Sequence, residues 1–213
     1  MEFIPQKISD YSNLFSEKES DLLQKISRET HLKMINPRML SGHIQGRFLS
    51  MISKMIKPIN IIEVGTFTGY STLCLAEGLK KNGKMHTIDI NEEYAEFAKK
   101  YFIMSDYKKK INQYVGDATK IIPKIKYNFQ LAFIDADKTN YSKYYDLIFK
   151  KLDINGYIIA DNVLWSGKVT ENRKDKETNS IHNFNNIVMN DNRIENILLP
   201  IRDGLMICRK IKN

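Results

Sequence analysis

The sequence predicts an α/β fold whose sheet is mostly parallel and ends in an antiparallel hairpin. Five short apolar runs alternate along the chain with amphipathic segments of helical length, which is the pattern of strands joined by helices. Two further apolar runs follow these five, at residues 193–201 and 203–211. They are separated by almost no chain, so we expect them to pair as a hairpin at one edge of the sheet.

The five runs before the hairpin are rich in Ile, Val and aromatic residues, which favours buried strands. They cover residues 59–65, 84–90, 111–117, 129–137 and 156–163. Each connection between consecutive runs is long enough for a right-handed crossover, so the strands can pair in parallel.

Helical patterns fill these connections. Residues 70–81 and 91–105 are amphipathic, and Asn91 followed by two glutamates predicts a capped start for the second helix. Residues 140–152 form a third helical pattern, and the Asn155-Gly156 pair after it predicts the helix stop.

Composition indicates one globular domain over residues 1–213, with helices in 1–56 and the sheet-containing core in 57–213. No apolar run approaches the roughly 18 residues of a membrane-spanning helix, and the N-terminus has no apolar export signal. We therefore expect a cytoplasmic protein with no membrane partner. Cys74 and Cys208 are isolated and are expected in the core.

The net charge of +8 permits an anionic partner such as a nucleotide or RNA. The lysines, however, are dispersed along the predicted helices. This distribution favours a solvated surface over a dedicated basic patch.

Polar residues mark the carboxyl end of each predicted parallel strand. In an open parallel sheet these ends share one rim, which is where ligands bind. For any single aspartate a helix N-cap is at least as good an explanation, but a full set in register predicts a ligand site. The residues are Glu63, Gly65, Asp89, Asp117, Asp135, Asp137, Asp161 and Asn162.

The first strand leads into "EVGTFTGYS", residues 63–71, whose two glycines allow a sharp turn and close approach of the backbone to a ligand. The turn lacks both the G-x-G-x-x-G dinucleotide pattern and the G-K-[ST] phosphate cradle. Glu63 before the turn and Asp89 at the next strand end suit a ligand with a cationic amine and a ribose diol. The combination favours S-adenosylmethionine over NAD or ATP.

These segments together resemble the cation-dependent, catechol-type O-methyltransferases, and within them the caffeoyl-CoA-like branch and its bacterial relatives. The resemblance spans roughly residues 30–211 and is carried by "EVGTFTGYS", "HTIDI", "VGDA", "FIDADKTNY", "IIADNVLWSGKV" and "RIENILLPIRDGLMICRKI". It implies the Rossmann-like class I methyltransferase fold, with a mostly parallel seven-stranded sheet, helices on both faces and a C-terminal antiparallel hairpin.

The resemblance also implies roles for individual residues. Metal ligands would be Asp135, Asp161 and Asn162, whose hard oxygens suit Mg²⁺, or Ca²⁺ or Mn²⁺. Lys138, together with Asp135, would be catalytic, with Lys138 beside the reacting hydroxyl, while Met39 and Trp165 would face the substrate. The S-adenosylmethionine-binding positions would be Ser41, Glu63, Gly65, Thr66, Ser71, Asp89, Ala118 and Asp137.

The implied reaction is methyl transfer to a vicinal diol of a small aromatic molecule, such as a catechol or a hydroxycinnamate. A divalent cation that grips two adjacent oxygens would stabilise the phenolate, and Lys138 could accept the proton. The family also implies a homodimer formed through the N-terminal helices.

Two alternatives stay open. Bacterial relatives include enzymes that methylate a hydroxylated uridine in tRNA, and the basic charge balance would tolerate that polyanion. A nucleotide-binding Rossmann protein without methyltransferase activity is the other alternative, because one fold supports many functions.

Overall fold

A computed structural model describes residues 4–213, and a seven-stranded sheet forms its centre. The strands lie side by side in the order β3-β2-β1-β4-β5-β7-β6. The first five pair in parallel, whereas β7 runs antiparallel to both β5 and β6. The predicted α/β fold and its C-terminal hairpin are therefore confirmed. The strands are β1 (Asn60–Val64), β2 (Lys84–Asp89), β3 (Ile111–Val115), β4 (Phe129–Ile134), β5 (Leu152–Ala160), β6 (Ile194–Leu199) and β7 (Leu205–Lys210).

Helices precede the sheet and connect its strands. They are α1 (Gln6–Leu14), α2 (Asp21–Lys33), α3 (Gly42–Ile56), α4 (Tyr70–Ala76), α5 (Glu92–Met104), α6 (Ala118–Ile121), α7 (Tyr141–Phe149) and α8 (Lys176–Asn190). Four short 3₁₀ segments lie at Pro37–Met39, Ile122–Lys124, Lys138–Asn140 and Trp165–Thr170. No helix in residues 4–213 is long and apolar enough to cross a bilayer.

The sheet is buried on both faces because alternate residues of each strand point to opposite sides. Along β4, Ala132 and Ile134 pack into one apolar cluster with residues of α6, α7 and α8. Leu131 and Phe133 pack into the other, with residues of α2, α3, α4 and α5. Helices therefore cover both faces, as predicted.

The start of α5 agrees with the sequence. Asn91 is the N-cap, and its side chain accepts a hydrogen bond from the backbone N–H of Tyr94 at 3.1 Å. Cys74 and Cys208 are both buried, in α4 and β7, as the sequence indicated.

The prediction that Asn155-Gly156 stops the third helix is wrong. Helix α7 ends earlier, at Phe149, and β5 already begins at Leu152. Lys210 of β7 explains the early end, because its Nζ donates to the carbonyls of Phe149 and Leu152 at 3.1 and 2.9 Å. Asn155 instead adopts a left-handed conformation (φ 65°) inside β5, where the pairing with β4 shifts register.

Helix α4 is also shorter than the pattern over residues 70–81 predicted, since it ends at Ala76. Helix α3 crosses close to this end, and the Ser53 hydroxyl donates to the Leu75 carbonyl at 2.6 Å. A Cβ at Gly78 would lie 2.1 Å from the Ser53 carbonyl carbon. The tertiary contact with α3 therefore overrides the local helical pattern.

Candidate active site

The turn after β1 brings the ends of two central strands into contact. Gly65 has a φ of 103°, and a Cβ there would lie 1.8 Å from the carbonyl oxygen of Asp135 at the end of β4. The backbone N–H of Asp135 donates to the Val64 carbonyl at 2.8 Å. Only glycine fits this position, which explains the first glycine of the turn.

Two adjoining cavities open along the rim at the strand ends. Cavity A, about 620 Å³, lies over the ends of β1, β2 and β3. Cavity B, about 420 Å³, lies over the ends of β4 and β5 and below the Pro37–Met39 segment. Their shared lining residues are Met39, Gly65, Phe67, Asp135 and Ala136. A ligand longer than either cavity can therefore extend across this shared wall.

The cavities gather nearly all the residues singled out in the sequence. Cavity A is lined by Met39, Gly65, Asp89, Asp117, Ala118, Asp135 and Asp137, and cavity B by Met39, Ser41, Gly65, Thr66, Ser71, Asp135, Lys138, Asp161, Asn162 and Trp165. Glu63 is the exception, since it lines neither.

Cavity A is acidic. Four carboxylates line it, those of Asp89, Asp117, Asp135 and Asp137, against one lysine, Lys143. The Asp89 carboxylate is held by the backbone N–H groups of Phe67 and Asn91, at 2.7 and 2.9 Å. Its position is thus fixed before any ligand arrives.

Two of the rim aspartates also have structural partners. Asp117 caps α6 by accepting from the backbone N–H of Thr119 at 2.9 Å, and this bonding, including the Thr119 hydroxyl, lowers the pKa of Asp117. Asp137 accepts from the Tyr144 hydroxyl and from Asn140 Nδ2. Both Asp117 and Asp137 still line cavity A, so these structural hydrogen bonds do not prevent either residue from contacting a ligand.

Cavity B contains a buried lysine surrounded by oxygens. Lys138 is only 8% exposed. Its Nζ lies 3.1 Å from Asp135 Oδ1, 2.8 Å from Asn162 Oδ1 and 2.6 Å from the Tyr141 hydroxyl. Lys138 Nζ therefore has a fixed position between two strand ends.

Asp161 lies beside this cluster in a second network that the sequence did not reveal. Gln45 Nε2 donates to Asp161 Oδ2 at 2.7 Å, and Gln45 Oε1 accepts from Arg202 Nη1 at 3.1 Å. Burial and the nearby charge of Asp135 raise the pKa of Asp161 to about 6. The sequence feature that could have indicated this network is the position of Gln45, a polar residue four positions before Leu49 and therefore on the same, buried face of α3.

The residues of cavity B fit a divalent cation. Within residues 4–213, no three His, Cys, Asp or Glu side chains gather as a metal site. The predicted set instead combines the carboxylates of Asp135 and Asp161 with the amide oxygen of Asn162, all hard oxygen donors. Burial and the charge of Asp135 raise the pKa of Asp161, and a bound cation would relieve the repulsion between the two carboxylates.

Asn162 itself is suited to such a site by its backbone. Its φ of 58° is left-handed, a conformation that asparagine tolerates better than most residues. Strand β5 ends at Ala160, and Asp161 and Asn162 follow it directly. The backbone conformation of Asn162 places its side-chain oxygen 2.8 Å from Lys138 Nζ.

Glu63 lies buried beneath the floor of the cavities. Its carboxylate accepts from the hydroxyls of Ser71, Thr72 and Thr87, and Thr87 also hydrogen-bonds Thr66 at 2.5 Å. Burial nevertheless raises the pKa of Glu63 to about 7. Ser71 and Thr66 line cavity B, so they connect Glu63 to its surface.

Met39 and Trp165 form apolar parts of the cavity B wall. Met39 is half exposed and lies between the two cavities. The Trp165 ring centroid is 5.7 Å from Lys138 Nζ. A flat aromatic ligand at Lys138 would therefore have an aromatic side chain beside it.

Comparisons with known proteins agree with this geometry. A family model described as O-methyltransferase matches residues 13–211. A caffeoyl-CoA O-methyltransferase from Stellaria longipes is 31% identical over 206 residues, covering 91% of this chain and 85% of that protein. Caffeoyl-CoA O-methyltransferase 2 from Populus trichocarpa is 32% identical over 187 residues, covering 82% and 76%. The crystal structure of an O-methyltransferase from Bacillus cereus in complex with SAH superimposes with a TM-score of 0.88 at 25% identity, covering 96% of this chain and 97% of that chain.

Proposed function

Since this chain belongs to the O-methyltransferase family, we propose that it methylates one hydroxyl of a vicinal diol on a small aromatic molecule with the help of a divalent cation. The family membership makes it an S-adenosylmethionine-dependent O-methyltransferase, and the diol and the cation are the proposal. The same family membership argues against the alternative of a nucleotide-binding Rossmann protein without methyltransferase activity.

The observation that supports the proposal is the oxygen-rich cluster in cavity B. Asp135, Asp161 and Asn162 supply three hard oxygen donors, and Lys138 is hydrogen-bonded to two of them. Trp165 lines the same cavity. Such a cluster suits an acceptor that presents two adjacent oxygens on an aromatic ring.

We assign cavity A to the adenosine part of S-adenosylmethionine. In this proposal the Asp89 carboxylate binds the ribose hydroxyls, and Ala118 lies beside the adenine. The acidic lining of cavity A suits a cofactor that carries a sulfonium and an amine. The methionine end would then extend past Gly65 toward Ser41, Thr66 and Ser71 in cavity B.

Asp135, Asp161 and Asn162 would hold Mg²⁺, or Ca²⁺ or Mn²⁺, in cavity B. A cation bound there supplies stabilisation of a deprotonated diol oxygen at neutral pH. Gln45 would orient Asp161 through its hydrogen bond to Oδ2.

Lys138, as the neutral amine, would accept the proton of the reacting hydroxyl at Nζ and become an ammonium. The Tyr141 hydroxyl and Asn162 Oδ1 keep that nitrogen in place beside the acceptor. The phenolate oxygen then forms a bond to the methyl carbon as the carbon–sulfur bond breaks, which neutralises the phenolate and the sulfonium together. A site that aligns the two reactants and excludes water lowers the barrier to this step.

The proposal is tested with matched acceptors. Methyl transfer from labelled S-adenosylmethionine is measured with Mg²⁺ present, using a catechol, the corresponding meta-diol and the monophenol. Only the catechol should be methylated, because only it presents two adjacent oxygens to the cation. Equal rates with all three would contradict the vicinal-diol assignment.

A parallel reaction with tRNA containing hydroxylated uridine tests the other methyltransferase reaction. Transfer to tRNA that falls steeply with rising salt, without transfer to the catechol, would favour the RNA substrate instead.

We also propose a homodimer formed through the N-terminal helices. Helix α1 has no buried residue, and its apolar side chains Ile8, Tyr11 and Leu14 are exposed. Burying such a patch against a second copy would remove apolar surface from water. Light scattering should give a molar mass twice that of one chain for the wild type. Leu14→Glu should lower this mass toward that of the monomer. A wild-type protein that is monomeric at working concentration would contradict the dimer.

A further inference from the structure

The opening of cavity B carries two arginines that the proposed reaction does not use. Arg38, in the segment before α3, and Arg202, in the β6–β7 turn, both line this cavity and are exposed. Within residues 4–213 neither forms an ion pair with a carboxylate. Two such guanidinium groups on one cavity suit an anionic group of a ligand.

Arg202 is held in position and keeps donors for a ligand. Its Nη1 donates to the carbonyl of Ser41 and to Gln45 Oε1, and both acceptors are neutral. In the described part of the chain, no hydrogen bond involves its Nε or Nη2. The guanidinium group is therefore anchored at the cavity wall without an ion-pair partner among residues 4–213.

The two cavities differ in charge. Arg38 and Arg202 line cavity B, and the charge of its two carboxylates, those of Asp135 and Asp161, would be offset by the divalent cation of the proposed function. Cavity A, by contrast, has four carboxylates and one lysine. The positive excess in cavity B favours an acceptor that is negatively charged away from its reacting hydroxyl.

We propose that cavity B selects a vicinal diol that also carries an anionic substituent, a carboxylate or a phosphate-type group, bound by Arg38 and Arg202. The inference rests on the proposed function and adds the acceptor's charge to it. Gln45 contacts both Arg202 and Asp161, so the anion site and the diol site lie on the same hydrogen-bonded wall. The anion must therefore be close to the ring, as in a short aromatic acid.

The test compares three acceptors that share the same catechol ring: a dihydroxybenzoate, the phosphonate in place of its carboxylate, and the methyl ester. The value of kcat/KM is measured for each with the full chain, S-adenosylmethionine and Mg²⁺. We expect at least one anionic acceptor to exceed the ester by about tenfold, the effect of one charge-assisted contact at an exposed site. The anion that is preferred identifies which group the arginines recognise.

Arg38→Gln and Arg202→Gln should each lower this preference by about threefold. Because Arg202→Gln also removes the bond to Gln45, it can slow every acceptor, and the ratio between acceptors isolates the anion contact. Arg28→Gln, at an exposed arginine of α2 that lines neither cavity, is the charge-matched control and should leave the ratio unchanged.

Efficient methylation of all three acceptors with equal kcat/KM, unaffected by either arginine substitution, would overturn the anion site and leave the proposed function in place. A preference that Arg28→Gln lowers as much as Arg38→Gln would overturn it too, since the effect would then come from net charge. Methylation of none of the three would overturn both proposals.

Discussion

Replacing Glu63 by glutamine should remove a pH dependence of stability that originates in the burial of this carboxyl. Glu63 is fully buried, and burial raises its pKa from the ordinary value of 4.5 to about 7 despite three hydroxyl donors. The folded state therefore binds the proton more tightly than the unfolded state. Its contribution to stability is fully present below the unfolded pKa of 4.5 and is lost as the pH rises toward 7.

The size of the effect follows from the shift. One pKa unit corresponds to about 1.4 kcal/mol, so wild-type protein should lose roughly 2 to 3 kcal/mol of Glu63 stabilisation between about pH 5 and about pH 8. Glu63→Gln cannot ionise and should not show this loss. Its stability relative to wild type should therefore rise by that amount over the same interval.

Urea unfolding of both proteins at the two pH values measures the difference, with chelator present so that cation binding does not contribute. Other titrating groups are common to both proteins and cancel in the comparison. A stability difference between wild type and Glu63→Gln that is the same at both pH values would refute the reasoning. Glu63 would then be paired well enough by its hydroxyl donors to keep an ordinary pKa.

Three further substitutions test the site. Gln45→Leu should lower Mg²⁺ affinity by about 10- to 100-fold because Asp161 loses its orienting donor, and Mg²⁺ titration of activity measures this; an unchanged half-saturation would contradict it. Gly65→Ala should lower the free energy of unfolding, measured with urea, by roughly 3 kcal/mol or more, because the new Cβ would lie 1.8 Å from the Asp135 carbonyl oxygen. A Gly65→Ala variant as stable as wild type would contradict that crowding. Lys138→Met should lower kcat about a hundredfold or more at neutral pH. The loss should be smaller at high pH, because the diol then ionises in solution without a base. A pH–rate profile parallel to that of wild type would argue against proton transfer to Lys138.

Local sequence patterns were sufficient to predict the sheet and the polar residues gathered at one edge of it. Strands rich in Ile and Val, such as β1, have few alternatives when both faces must be buried. The positions of Asp89, Asp135 and Asp161 on one rim then follow from parallel pairing. These features depend on residues that are close in sequence or on the regular geometry of a sheet.

Other features depend on tertiary contacts that local patterns do not report. The Asn155-Gly156 pair predicted a helix stop, but Lys210, far along the chain, binds the carbonyl of Phe149 at the end of α7 and that of Leu152 at the start of β5. Gln45 reaches Asp161 across 116 positions of sequence, and Arg202 reaches Gln45 across 157. Sequence analysis therefore identified the rim residues and missed the side chains that hold them in place.

The central claim, a cation held in cavity B for methyl transfer to a vicinal diol, is tested most directly with metal-stripped enzyme. Methyl transfer from labelled S-adenosylmethionine to the catechol is measured after exhaustive chelation and dialysis, then again after Mg²⁺, Ca²⁺ or Mn²⁺ is added back. We predict that stripping abolishes transfer, that at least one cation restores it, and that Asp135→Ala stays inactive under all conditions while remaining folded. Full turnover by the stripped enzyme, or by Asp135→Ala, would contradict the account.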